Sequence, residues 1–180
     1  MTTSETASDE ETQALIAGIP RPKSQTQTSS ITMNREYYSD FVGPLGAGKI
    51  FIPMCNPKCT IADVKKYMST PNIKESNETN ILTYTLYANN KKDEDDALAT
   101  YMYMFMNGQF INVIIKFRQG IDRDKCLAWM VKHYKYESSD VEDGMDMHTF
   151  KSFDGQINAS VNFMSVNGSN TSATITYSKY

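Results

Sequence analysis

The chain carries one turn signal twice, each time after a stretch with helical spacing. Phe105-Met106-Asn107-Gly108-Gln109 holds the first turn and Phe153-Asp154-Gly155-Gln156 the second. Asn-Gly and Asp-Gly between apolar segments mark β-hairpins, because both residues accept the positive φ that a tight turn requires. The helix candidates that precede them are Thr60–Ser69 and Asp122–Tyr134. A helix followed by antiparallel strands, stated twice, predicts an α+β fold of two helix-plus-antiparallel-sheet repeats, with the helices on one face of the sheet. The expected divisions are a disordered polar tail at 1–30, a first repeat with an N-terminal extension at 31–120, and a second repeat at 121–180.

Local signals fill in this plan. Thr60 and Asp63 have the spacing of a capping box, and Ile61, Val64 and Met68 make the expected core face of the first helix. Asp122 or Asp124 caps the second helix. Its apolar stripe is Leu127, Met130, Val131 and Tyr134, widened by Cys126 and Trp129. Strands are expected at Lys49–Ile52, Ile81–Tyr87, Tyr101–Met106, Gln109–Phe117, Met147–Phe153, Gln156–Met164 and Ser172–Tyr180. A polar loop is expected at 137–146, and a further turn at Asn167-Gly168.

Several function classes lack support. A net charge of −3 with scattered Lys and Arg argues against nucleic-acid binding, which leaves a basic stripe. No apolar run approaches the roughly 18 residues of a membrane-spanning helix. Gly43–Gly48 is not a phosphate loop, because Lys49 is followed by Ile50 rather than Ser or Thr. The first thirty residues hold no apolar segment of the kind an export signal needs, so the chain is either cytoplasmic or begins after a removed signal. Cys55, Cys59 and Cys126 are too few for a disulfide framework. Cys55 and Cys59 flank Pro57 and would bridge only if the chain bends there, and the plainer reading is three buried thiols. Cys126 and His133 lie seven apart on one helix, about 10 Å along its axis, too far for a catalytic dyad. His148 has Asp146 as its only sequence neighbour of opposite charge. No catalytic residue, metal ligand set or cofactor motif emerges, and the expectation is that the chain is not an enzyme.

The first hairpin sets the functional question. With Asn107-Gly108 as its turn, the expected pairs are Phe105 with Phe110, Met104 with Ile111, Tyr103 with Asn112 and Tyr101 with Ile114. Met102, Met104 and Met106 then share a face with Ile111, Val113, Ile115 and Phe117, which suits the helices. Tyr101, Tyr103, Phe105 and Phe110 share the other face with Ile114, and that face needs a cover. Either the segment Ile31–Met54, with Tyr37, Tyr38 and Phe41, packs on it, or a protein partner does. The second hairpin has one wet face: Phe150, Ile157, Ala159, Val161 and Phe163 lie inside, and Thr149, Lys151, Gln156, Asn158, Ser160 and Asn162 outside.

The segment Cys59-Thr60-Ile61-Ala62-Asp63-Val64-Lys65-Lys66-Tyr67-Met68 resembles a helix of exported lipoproteins of the Bacteroidota type. Leu82-Thr83-Tyr84, Tyr103–Gly108, Tyr134-Lys135-Tyr136 and Ser152–Gly155 extend the resemblance over about residues 50–180. Those proteins are largely without known function. Their helix-then-sheet repeat also looks like the fold of the beta-lactamase inhibitor proteins and of small outer-membrane assembly lipoproteins, which bind rather than catalyse. The chain departs from the pattern where Lys58-Cys59 replaces a Trp-Gly, and no lipid-acceptor Cys lies in residues 1–54. The resemblance implies an export to the periplasm or cell surface, a lipid anchor upstream of Met1, and a polar tail serving as tether.

The functional expectation is a non-enzymatic envelope binding module for a protein, with Tyr101, Tyr103, Phe105 and Phe110 as the contact residues. The alternative is a structural or assembly component that buries this aromatic face in an oligomer.

Overall fold

The computed structural model describes residues 35–38, 41–43, 49–118, 120–166 and 170–179. The expected tail at 1–30 and the Asn167-Gly168 turn lie outside them. The described chain holds an irregular segment, then helix α1 (Ile61–Met68) and strands β1 (Ile73–Glu78), β2 (Ile81–Tyr87), β3 (Ala97–Met106) and β4 (Gln109–Phe117). Helix α2 (Arg123–His133) follows, with strands β5 (Lys135–Glu142), β6 (Met145–Lys151), β7 (Ile157–Val166) and β8 (Asn170–Lys179). All eight strands form one antiparallel sheet in the order β1-β2-β3-β4-β8-β7-β6-β5. Two up-and-down meanders thus join through β4 and β8, and β1 and β5 are left as edges.

Both helices start as their sequences require. The Thr60 hydroxyl accepts from the Asp63 amide at 3.2 Å, and the Asp63 carboxylate accepts from the Thr60 amide at 2.8 Å. Asp122 caps α2 by accepting from the Lys125 amide at 3.0 Å. The buried residues of α1 are Val64, Tyr67 and Met68, whereas Ile61 is exposed. Those of α2 are Cys126, Trp129 and Met130, whereas Val131 is exposed. The stripes expected from spacing are therefore rotated toward the aromatic residues, whose larger area gives more on burial.

Two strands escaped the sequence reading. β1 reads Ile-Lys-Glu-Ser-Asn-Glu with only Ile73 buried, and every residue of β5 is exposed. Both are edge strands, where charged side chains deter pairing with other chains and hide the usual alternation. The expected polar loop at 137–146 is therefore mostly strand, turned at Asp143-Gly144, whose φ angles are 51° and 78°. The Lys49–Ile52 strand reduces to a bridge between Tyr37 and Phe51.

The first hairpin turns at Asn107-Gly108, with φ of 51° and 75°. Its register differs from the expected one. Phe105 faces Phe110, but Ile111 is an extra residue, so Met104 faces Asn112, Tyr103 faces Val113 and Tyr101 faces Ile115. A one-residue bulge sends every later side chain of its strand to the opposite face. Tyr101 and Tyr103 thus share a face with Val113, Ile115 and Phe117, all buried, and the methionines share the other with Ile114.

That inner face is the core. One row across it reads Leu82, Tyr103, Val113, Tyr177, Ala159 and Phe150. Both helices cover it: the Met68 sulfur lies 4.0 Å from the Tyr103 hydroxyl, and Arg123 of α2 sits over the Phe163 ring at 5.6 Å. The segment before α1 completes the layer. Phe51 stacks on Tyr101 with ring centroids 5.1 Å apart. Tyr38 packs against Phe41, Phe117 and Trp129 at 5.3, 5.7 and 5.1 Å.

Candidate functional site

The aromatic residues named from sequence as contacts lie in the interior. Tyr101, Tyr103 and Phe110 are 0% exposed and Phe105 is 7% exposed. The Tyr101 hydroxyl donates to the Phe51 carbonyl at 2.8 Å, and the Tyr103 hydroxyl accepts from the Met54 amide at 3.1 Å. Burial pushes both phenols well above their usual range, so they remain neutral hydrogen-bonding groups. Over Tyr101 and Tyr103 the cover is the chain's own segment, through Phe51 and Met54.

The bulge at Ile111 leaves Tyr101, Tyr103, Phe105 and Phe110 on one face and changes only their neighbours on β4, which are Val113, Ile115 and Phe117 in place of Ile114. Among the described residues neither helix covers the outer face of the sheet, which is half-buried along its central rows, and its composition is unusual. Across β2, β3, β4, β8 and β7, one row reads Thr83, Met102, Ile114, Thr176 and Ser160. The row beside it reads Thr85, Thr100, Lys116, Thr174 and Asn162, and the next Ile81, Met104, Asn112, Ser178 and Asn158. Only Lys116 is charged among these fifteen positions. The wet face of an antiparallel sheet ordinarily carries charged side chains. Here the outward-facing charges gather toward the rims, with Lys74 and Glu78 on β1, Lys135 and Asp140 on β5, and Lys151 on β6.

Six of the eleven methionines belong to the same face: Met102, Met104, Met106, Met145, Met147 and Met164. Met106 and Met164 are exposed at 64% and 49%. Depletion of charge together with methionine is the compositional mark of the centre of a contact surface. A basin of about 380 Å3 opens on this face toward β5, lined by Glu137, Thr149, Lys151, Asn158, Ser160 and Ser178. Glu137 is the residue left over at the bulge between Tyr136 and Ser138.

The titratable groups on the inner side hold structure together. Arg123 bonds Asp146 through Nε at 2.5 Å and approaches His148 Nε2 at 3.3 Å, and His148 Nε2 lies 2.9 Å from Asp146. Burial would raise the Asp146 carboxyl, but the Arg123 hydrogen bond and the His148 and Arg123 charges outweigh it and hold it below 3.8. The cluster staples the start of α2 to β6. Arg123, which the sequence reading left out, stands between the two groups it named there. His133 stacks on Trp129 at 4.0 Å and its Nδ1 meets the Trp129 carbonyl at 2.8 Å, which places it at the helix end, away from Cys126.

Cys55, Cys59 and Cys126 are free thiols. Burial pushes them up to about 11, 12 and 12, so none is a thiolate at neutral pH. Among the described residues no group of three or more His, Cys, Asp or Glu is gathered to hold a metal ion. No helix among them is long and apolar enough to cross a membrane. Compared with protein-family models, curated proteins and solved structures, the chain finds no match.

The outer face was partly legible. The alternation of Thr174, Thr176 and Ser178 with Ala173, Ile175 and Tyr177 states which side of β8 is wet. The missing signal was register: only the pairing of β4 with β8 shows that the uncharged rows of the two meanders are continuous.

Proposed function

We propose that this chain is a non-enzymatic binding module that recognises a protein partner with the outer face of its sheet. The observation that carries this reading is the charge depletion of that face: one lysine in fifteen central positions, with methionines at both ends. Thr and Ser side chains have few rotamers to lose, and methionine adapts its shape, so the surface orders at low entropic cost. Charged rims discourage strand addition at the edges and leave the face as the contact.

The order helix then four strands, twice over, supports the finer reading that the domain is two copies of one unit joined at β4 and β8. Location in the cell envelope rests on the resemblance to exported lipoproteins alone.

The test is photo-crosslinking in intact source cells. A benzophenone amino acid at Thr83 or Thr176 should give one discrete adduct heavier than the chain, while the same residue at Lys66 or Lys132, on the helices, should not. An adduct at twice the chain's mass means that the face joins two copies, which favours the assembly reading. Adducts from the helices and none from the sheet would overturn the proposal.

A further inference from the structure

The segment before α1 pairs with itself at the antiparallel bridge between Tyr37 and Phe51. The Tyr38 amide donates to the Ile50 carbonyl at 2.9 Å and the Ile52 amide to the Glu36 carbonyl at 2.8 Å. Side chains alternate along such a ladder, so Arg35 and Tyr37 share one face with Lys49 and Phe51, and Glu36 takes the other. With Tyr37 opposite Phe51, Arg35 and Lys49 stand to either side of the pair. All four line one pocket of about 260 Å3, closed by Asn72 before β1 and by Leu86 and Ala88 at the end of β2. None of these lining residues is acidic. Among the described residues neither Arg35 nor Lys49 forms an ion pair. Arg35 is half-buried and held in place. Its guanidinium lies 4.6 Å from the centroid of the Phe51 ring and 5.2 Å from that of Tyr67, and it donates to the Tyr67 carbonyl. That contact leaves most of its donor fork unused. A partly desolvated cation without a counter-ion is unfavourable, and an anion bound beside it restores the balance.

We propose that this pocket binds a small organic anion, with its carboxylate or phosphate oxygens held by Arg35 and Lys49 and its apolar body against the Tyr37 ring and Ala88. A guanidinium fork matches two oxygens of either head group, and the Lys49 ammonium adds a second positive charge from the other side of the aromatic pair. Each of these contacts keeps surface open to solvent: Tyr37 and Lys49 are exposed, and Arg35 and Ala88 are half-buried. The Phe51 ring, itself buried, serves to hold the guanidinium rather than to meet the ligand. At about 260 Å3 the pocket lies below the roughly 300 Å3 at which drug-sized sites begin, which suits a single ring with its head group. The segment that builds it covers the inner side of the sheet, opposite the proposed protein-binding face, and the two readings stand or fall separately.

The experiment is a titration of the full 15N-labelled chain with benzoate, phenyl phosphate and neutral benzamide, each to about 10 mM, where weak binding of a single ring becomes visible. Benzoate or phenyl phosphate should shift the amides of Tyr37, Phe51, Asn72 and Ala88 along a saturating curve, and the stronger of the two identifies the head group. Benzamide, with the same ring and no charge, should leave them in place. Arg35→Gln and Lys49→Gln should each weaken the binding by about tenfold, the weight of one charge-assisted hydrogen bond. Lys49 forms no hydrogen bond or ion pair among the described residues, so Lys49→Gln reads the charge without disturbing the fold. Lys132→Gln, on the exposed side of α2, should change nothing. The proposal is overturned if neither anion shifts these amides, or if benzamide shifts them as benzoate does. It is equally overturned if Lys49→Gln leaves the affinity unchanged, or if Lys132→Gln weakens it as much, which would mean that the anions answer only the overall charge of the chain.

Discussion

The phenol oxygens of Tyr38 and Tyr177 meet at 2.7 Å in the interior of the domain. Tyr38 belongs to the segment before the first helix and Tyr177 to β8, the strand through which the two meanders join. The Tyr134 hydroxyl also bonds Tyr177. Three phenols from the early segment, the end of α2 and the centre of the sheet thus share one polar knot, and it ties the covering layer to the sheet.

Tyr177→Phe should lower stability by about 1–3 kcal/mol, because Tyr38 then has a buried hydroxyl without its partner. Tyr38→Phe should cost less, since Tyr177 keeps Tyr134. Urea midpoints of the two variants check the order, and the reverse order would mean that Tyr38 has a second partner.

Gly108→Val should cost more than about 1 kcal/mol. Gly108 has φ of 75° with open space around it, so the loss comes from backbone strain rather than a clash. A chemical melt with an unchanged slope and a lower midpoint is the expected result.

Acid should weaken the staple between α2 and β6. The folded Asp146 carboxyl lies below its ordinary value of 3.8, so its contribution is present above that value and is lost as pH falls through the folded one. Asp63, held down by its hydrogen bonds to the Thr60 amide and hydroxyl, acts in the same direction. Asp146→Asn should therefore melt lower than the unsubstituted chain at pH 7, and the gap should narrow on acidification. A gap that widened as pH fell would contradict the assignment.

Helix starts and tight turns were legible in the sequence because they depend on a few adjacent residues. Thr60 with Asp63, Asp122, and Asn107-Gly108 all do what their chemistry dictates. The edge strands were not, since β1 and β5 replace apolar alternation with charge. The register of the first hairpin was hidden for a different reason. Ile111 looks like any other strand residue, and nothing local marks it as the bulge that sets Val113, Ile115 and Phe117 beside Tyr101 and Tyr103 and Ile114 beside the methionines. The candidate surface was hidden with it, because it is built from both meanders and exists only once β4 pairs with β8.

The most direct measurement compares two double variants of the purified chain by thermal melting. Tyr101→Ala with Tyr103→Ala should lower stability by several kcal/mol or abolish folding, as truncating two buried aromatic residues does. Met104→Ser with Met106→Ser should leave the melting temperature within about 2 °C, as changes at half-exposed and exposed positions do. If instead the methionine pair collapses the fold and the tyrosine pair does not, the outer face is the core, and the proposed binding surface does not exist.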